Sequence, residues 1–156
     1  MRHTIVALME DKPGVLNRVA NLFRRRGFNI DSLAVGHSET PGMSRMTVVV
    51  QGDDRTLEQV AKQLHKLVNV TKVYDLDGGS VSRELALIKV RATPASRSEV
   101  IGLATIFRAN IVDVSAESLI VEVTGTEDKV DSLLELLRPY GVQEMARTGI
   151  LALSRG

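Results

Sequence analysis

The 156 residues carry 20 Lys and Arg against 19 Asp and Glu, a net charge of +1, so no global field draws the chain to nucleic acid, an anionic membrane or an acidic substrate. Cysteine is absent, which excludes disulfides, thiol nucleophiles and thiolate metal sites and fits a reducing compartment. Charged residues at 25% and hydrophobic ones at 44% are ordinary for a soluble globular protein; with no membrane-length apolar run and no secretory-type N-terminus, a cytoplasmic location is expected.

Apolar alternation predicts a strand over residues 3–9. Val15, Val19, Leu22 and Phe23 then share one face of a helix over 14–26. Strands follow at 28–39 and 43–51, broken by the turn signal Thr40-Pro-Gly42. A second helix over 54–67 places Leu57, Val60, Ala61 and Leu64 at helical spacing, and 69–76 returns as a strand. The rhythm then repeats. A strand over 84–92 leads to a helix over 96–108 with Val100, Leu103, Ala104 and Phe107 on one face. Strands at 110–115 and 118–124 precede a helix over 127–138 carrying Val130, Leu133, Leu134 and Leu137, and a last strand lies within 142–153.

Particular residues support a duplication beyond the rhythm. Phe23-Arg24 leads to Asn29-Ile30, as Phe107-Arg108 leads to Asn110-Ile111. Val48-Val-Val-Gln-Gly52 opens one second helix and Val121-Glu-Val-Thr-Gly125 the other. The expected class is α+β: two tandem ferredoxin-like (βαββαβ) units, each an antiparallel sheet with helices on one face. The expected domains are 1–77 and 84–156, with a Gly- and Ser-rich linker at 78–83. In the first unit Ile5, Ala7 and Met9 alternate with Thr4, Val6 and Leu8, and Val48 to Val50 is apolar on both faces. Helices cover one side only, so the other apolar side is expected to meet another domain, another copy of the chain or a different protein.

The stretch Asp11-Lys-Pro-Gly-Val-Leu16 joins the first strand to the first helix. Such a turn leaves N–H groups of the first helical turn without intrahelical partners, and with the helix dipole they form a seat for a small carboxylate. Asn29 can offer a donor and an acceptor beside it, which suits a small zwitterion. On spacing alone the stretch reads equally as a plain turn, with Val15 and Leu16 starting the core face.

Catalytic candidates are absent by comparison. Histidines 3, 37 and 65 have no short metal-ligand spacing, serines 32, 38, 44 and 80 sit in no nucleophile signature, and no phosphate-binding or dinucleotide fingerprint occurs. Glu10 and Asp11 are neighbours whose side chains point to opposite sides of a strand. Arg24-Arg-Arg26 is the one compact basic run. Sheet-based RNA recognition needs exposed aromatics for stacking, and aromatics are only 3% of the chain; cations in a last helical turn complement its negative end.

The run Asp11-Lys-Pro-Gly-Val-Leu-Asn-Arg-Val-Ala-Asn-Leu-Phe23, followed by Arg26-Gly-Phe-Asn-Ile-Asp-Ser-Leu33, resembles the amino-terminal ACT domain of acetohydroxyacid synthase (acetolactate synthase) small regulatory subunits. The resemblance extends through Ser44-Arg-Met-Thr47, Lys62-Gln-Leu-His-Lys-Leu-Val68, Arg83-Glu-Leu-Ala-Leu-Ile-Lys-Val90, Phe107-Arg-Ala-Asn-Ile-Val-Asp113 and Leu153-Ser-Arg-Gly156, in order and without large gaps.

The resemblance implies a non-catalytic subunit with no cofactor of its own. It would bind and activate a catalytic subunit carrying thiamine diphosphate, Mg2+ and FAD, and confer feedback inhibition by branched-chain amino acids, chiefly valine. It further implies a homodimer through the ACT domains, with the effector at the pair interface and no nucleic-acid or membrane partner. On that pattern Gly14, Val15 and Leu16 present N–H groups to the effector carboxylate and Asp11 lies near its ammonium. Asn29 and Ile30 come from the facing subunit. Position 11 is often asparagine in relatives; aspartate keeps an acceptor and removes the amide donors. Valine exceeds alanine by two carbons, about 1.6 kcal/mol of apolar burial, whereas valine and isoleucine differ by one carbon, so the pattern supports a branched-chain class above any single amino acid. The competing reading, a stand-alone ACT-type amino-acid-binding protein, uses the same loop but leaves the second unit without a role.

Overall fold

A computed structural model describes residues 2–76 and 78–156. The chain forms two compact units, one reaching Val81 and including Ile150–Gly156, the other Ser82–Gly149. Elements of the first are β1 (Arg2–Glu10), α1 (Val15–Arg26), β2 (Asn29–His37), β3 (Met43–Gln51), α2 (Asp54–His65) and β4 (Val70–Asp75). Next come β5 (Ser80–Arg91), α3 (Arg97–Ile106), β6 (Asn110–Val114), β7 (Ser118–Gly125), α4 (Glu127–Leu137), a short 3-10 turn (Arg138–Tyr140), β8 (Val142–Arg147) and β9 (Leu151–Ser154). Each half is βαββαβ, as the duplicated pattern predicts.

The first sheet has the order β2-β3-β1-β4 with antiparallel neighbours. Register sets Ile5 opposite Val48 and Ala7 opposite Met46, so alternate side chains of both strands point to the same face. There Ile5, Met9, Met46, Val48 and Val50 meet Val15, Val19, Leu22 and Phe23 of α1 and Val60 and Leu64 of α2, all buried. The second sheet repeats the order as β6-β7-β5-β8. Ala86, Ile88 and Val90 of β5 and Leu119, Val121 and Val123 of β7 pack against Val100 and Ala104 of α3 and Val130, Leu133, Leu134 and Leu137 of α4. Each of these larger apolar side chains contributes about 1.5–3 kcal/mol by leaving water, and that burial is what turns amphipathic segments into a fold.

The far side of the first sheet is also apolar, and this chain supplies a cover for it. Val6, Leu76 and Ala152 form a buried cluster with Leu8 and Tyr74 packed against it. Arg45 reaches across, donating to the Tyr74 hydroxyl at 2.9 Å and to the Ala152 carbonyl at 2.8 Å. The Ile150 N–H donates to Ser32 Oγ and the Arg155 N–H to the Gly79 carbonyl, both at 2.8 Å. The single last strand expected within 142–153 is thus two strands, β8 and β9, and the second serves the first unit. At the other junction β5 begins at Ser80, so most of the segment expected as a linker is strand.

Candidate functional site

The entry to α1 is built from Glu10 to Asn17. Gly14 is the N-cap, with φ 85° and ψ −13°, a left-handed conformation that costs glycine nothing and other residues about 1–2 kcal/mol. Glycine brings no capping side chain, and none comes from elsewhere. The Gly14 carbonyl accepts the first helical bond from Arg18 N–H at 3.0 Å, and the Val15 N–H turns back to the Lys12 carbonyl at 3.3 Å. Among the described residues the Leu16 and Asn17 N–H groups have no hydrogen-bond partner. A Cβ placed on Gly14 would meet nothing within 4 Å, so the turn at Gly14 is open. Val15 is buried in the core, whereas Leu16 is exposed beside the opening.

The two neighbouring carboxylates diverge. Glu10 faces Lys12 Nζ at 2.8 Å and Asn69 Nδ2 at 3.2 Å; the Lys12 hydrogen bond first, and then that of Asn69, hold its carboxyl below the ordinary value. Asp11 Oδ2 lies 3.2 Å from His37 Nδ1, and the Asp11 N–H donates to the Gly42 carbonyl at 2.8 Å. Asp11, Gly14, Val15 and Leu16 are therefore gathered at one end of the sheet.

Asn29 and Ile30 are at the other. They open β2 and pair with Gln51 and Val50, which in turn pair with Arg2 and His3 at the start of β1. The length of β1 separates them from Asp11, about 25 Å at the rise of a strand. Asn29 is exposed and lines a hollow of about 440 Å³ with Phe28, Gln51 and Arg55, while Ile30 packs against the first core. One copy of the chain cannot close both groups of residues on one amino acid.

Asn17 and His37 belong to the neighbourhood and were not among the residues expected there. Placing the cap at Gly14 makes Leu16 and Asn17 the second and third helical residues, whose N–H groups are the open ones. His37 arrives through the β2–β3 hairpin, which returns the end of β2 beside the end of β1. The three histidines do not gather: His3 is buried at the start of β1, His37 ends β2 and His65 ends α2.

The corresponding turn of the second unit is built differently, although α3 has no side-chain cap either. Thr93 and Ser96 exchange hydrogen bonds, the Thr93 N–H donating to Ser96 Oγ at 3.0 Å. Arg97 lays its guanidinium on the Ser115 and Ala116 carbonyls at 2.7 and 2.8 Å. These side chains tie the turn together, and the Glu99 N–H turns back to the Ser96 carbonyl at 3.1 Å.

Residues 5–72 match the family described as the AHAS small subunit-like ACT domain, and residues 83–156 match the family described as the small subunit of acetolactate synthase. Two tandem βαββαβ units, the first an ACT domain, place the chain in the class of ACT-containing regulatory subunits. It is 58% identical over 156 residues to a probable acetolactate synthase small subunit of Archaeoglobus fulgidus, covering 100% of this chain and 98% of that one. It is also 58% identical over 155 residues to the acetolactate synthase small subunit of Mycobacterium bovis, covering 99% and 92%. The crystal structure of the small subunit from Thermotoga maritima superposes with a TM-score of 0.94 at 50% identity, covering 100% of this chain and 98% of that one. The chain belongs to the acetolactate synthase small-subunit family.

Proposed function

We propose that this chain binds the thiamine-diphosphate-dependent large subunit of acetolactate synthase, raises its activity, and makes it answer to a branched-chain amino acid, valine first among them. On this reading residues 1–77 form the effector-binding domain, 84–156 form the second domain, and thiamine diphosphate, Mg2+ and FAD reside on the large subunit. The observation that carries the effector reading is the uncapped start of α1 at Gly14, open to solvent and lying a full strand away from Asn29. Two copies resolve that separation. β2 is an edge strand, paired among the described residues with β3 alone, and it exposes Leu33 and Val35 by 41% each. Antiparallel pairing of two such edges sets the Asn29 end of one copy beside the Asp11 end of the other. The effector carboxylate then accepts from the Leu16 and Asn17 N–H groups, with Val15 N–H beside them. Asp11 takes the ammonium, and Asn29 and Ile30 close the seat from the second copy. An effector held by both copies favours one arrangement of the pair, and a coupling of about 1–3 kcal/mol suffices for feedback control.

Variant chains mixed together test the reading. Gly14→Asp puts bulk and negative charge at the carboxylate seat, and calorimetry with valine is expected to show binding lost. Asn29→Ala is expected to weaken binding about fivefold or more. Co-expression of the two variants rebuilds one intact seat in each mixed pair, from Gly14 of one chain and Asn29 of the other. Valine binding of wild-type affinity is expected to reappear in that mixture and in neither parent. Normal binding by Gly14→Asp, or no recovery on mixing, would overturn the two-chain seat.

A further inference from the structure

On the helical side of the first unit, α1 and the loop between α2 and β4 enclose a hollow of about 490 Å³ lined by Arg18, Asn21, Arg24, Arg25 and Leu67. α1 carries four arginines, at 18, 24, 25 and 26, and no acidic residue. Among the described residues none of the four forms an ion pair. Three of them bond to neutral amides. Arg18 donates to Asn69 Oδ1, Arg24 to Asn21 Oδ1 at 2.6 Å and Arg26 to Gln63 Oε1 at 3.2 Å. The Glu10 carboxylate, which shares Asn69, is engaged by Lys12. The charge of this helix is therefore left standing at the surface.

The helix dipole accounts for part of the arrangement. Cations in the last turn complement the negative end of α1, as Arg24, Arg25 and Arg26 do. Arg18 lies one turn from the positive end, where the dipole disfavours it, yet Asn69 holds it toward the same hollow. Next to Leu67 stands Val68, 91% exposed. Arginines around an apolar patch are the composition of protein interfaces, and no aromatic lines the hollow for base stacking.

We infer that this hollow is a docking surface for a carboxylate-bearing segment of the large subunit, with Asp or Glu side chains on the guanidinium groups and an apolar side chain over Leu67 and Val68. The identity of the partner rests on the proposed function; the unbalanced charge does not. Arg24 and Arg25 lie ten and eleven residues along α1 from Gly14, about 15 Å at the rise of a helix, so docking and effector binding are separable.

The experiment uses the full chain and immobilised large subunit at low and high salt, with valine calorimetry and a thermal melt run on every variant. Wild-type binding is expected to weaken as salt rises. Arg24→Glu/Arg25→Glu is expected to bind the large subunit about tenfold or more weakly, and Arg24→Gln/Arg25→Gln to fall between, with valine binding and the melt unchanged. A charge-reversed chain that binds the large subunit like wild type overturns the docking surface and leaves the regulatory reading standing. A wild-type chain that does not bind the large subunit overturns both. Loss of valine binding alongside docking points to a structural role for the arginines and overturns the inference. So does a variant that keeps the large subunit but loses an oligouridine RNA that the wild type retains, since the hollow then belongs to nucleic acid.

Discussion

Asp53 caps α2, accepting the Thr56 N–H at 2.9 Å and the Thr56 hydroxyl at 3.0 Å, and the backbone bond is the main cause that holds its carboxyl below the ordinary value. A carboxyl depressed in the folded state stabilises it at pH values above the unfolded pKa, about 4, and that contribution fades as pH falls through the folded value. Asp53→Asn keeps the cap acceptor and removes the titration. Urea midpoints measured from pH 6 to 3 should therefore fall less steeply for Asp53→Asn than for wild type. In the second unit Glu84 is buried and accepts from Arg147, which also donates to Asp131 at 2.7 Å. Burial works against the Arg147 charge, but the Glu84 and Asp131 hydrogen bonds outweigh it and raise its pKa. Glu84→Gln removes one buried negative charge opposite that guanidinium and should cost about 1–3 kcal/mol in the second unit by urea denaturation at neutral pH. No signal in the sequence singles out Glu84, because a charged residue near a strand start reads as exposed until the register with β7 and β8 is known.

Among the elements, the helix ends show what the duplication kept and what it changed. The second helix of each unit opens on the same device, with Asp53 accepting from Thr56 N–H and Thr126 from Lys129 N–H. The first helices differ at both ends. Neither has a side-chain cap, but α1 starts on the left-handed Gly14 while α3 starts on Ser96, interlocked with Thr93. α1 ends on Gly27 at φ 66°, whereas just beyond α3 the same turn is made by Arg108 at φ 55°, the one non-glycine residue with positive φ among those described. Left-handed backbone is costly for arginine, and glycine relieves the strain while giving back part of the gain to the unfolded chain. Arg108→Gly should accordingly stabilise the second unit by about 0.5–1 kcal/mol, read as a higher denaturation midpoint. These elements were legible because their apolar residues recur at helical or strand spacing and Gly52 and Gly125 stand at matching places. The seat was legible only in part. The glycine at the turn announces open donors, but which N–H groups are open depends on where Val15 bends back to Lys12.

At the scale of the whole molecule, the residues from Ile150 onward fold with the unit at the other end of the sequence. Ala152 closes the cluster of Val6 and Leu76, and Arg45 ties its carbonyl to the sheet. Deleting residues 150–156 should expose the far side of the first sheet, seen as stronger binding of a hydrophobic dye and a lower melting transition for the first unit. An unchanged first transition would show that the strand contributes no stability there. Apolar residues on both faces of β1 and β3 announced that this side needed a cover, since alternate residues of a strand point opposite ways and Val6, Leu8 and Val49 stand opposite the helix-facing set. It could not name the cover, because burial depends on which segment arrives and not on the strand that waits for it. Periodicity, turn residues and the repeated glycines are local properties, and by themselves they determined two βαββαβ units and a glycine turn into the first helix that reads equally as a carboxylate seat or a plain turn. Tertiary structure alone decided that Asn29 stands a strand's length from that start, that His37 lies beside Asp11, and that β9 completes the first unit. Those are distances between segments far apart along the chain, set by sheet order and register, and no local pattern carries them.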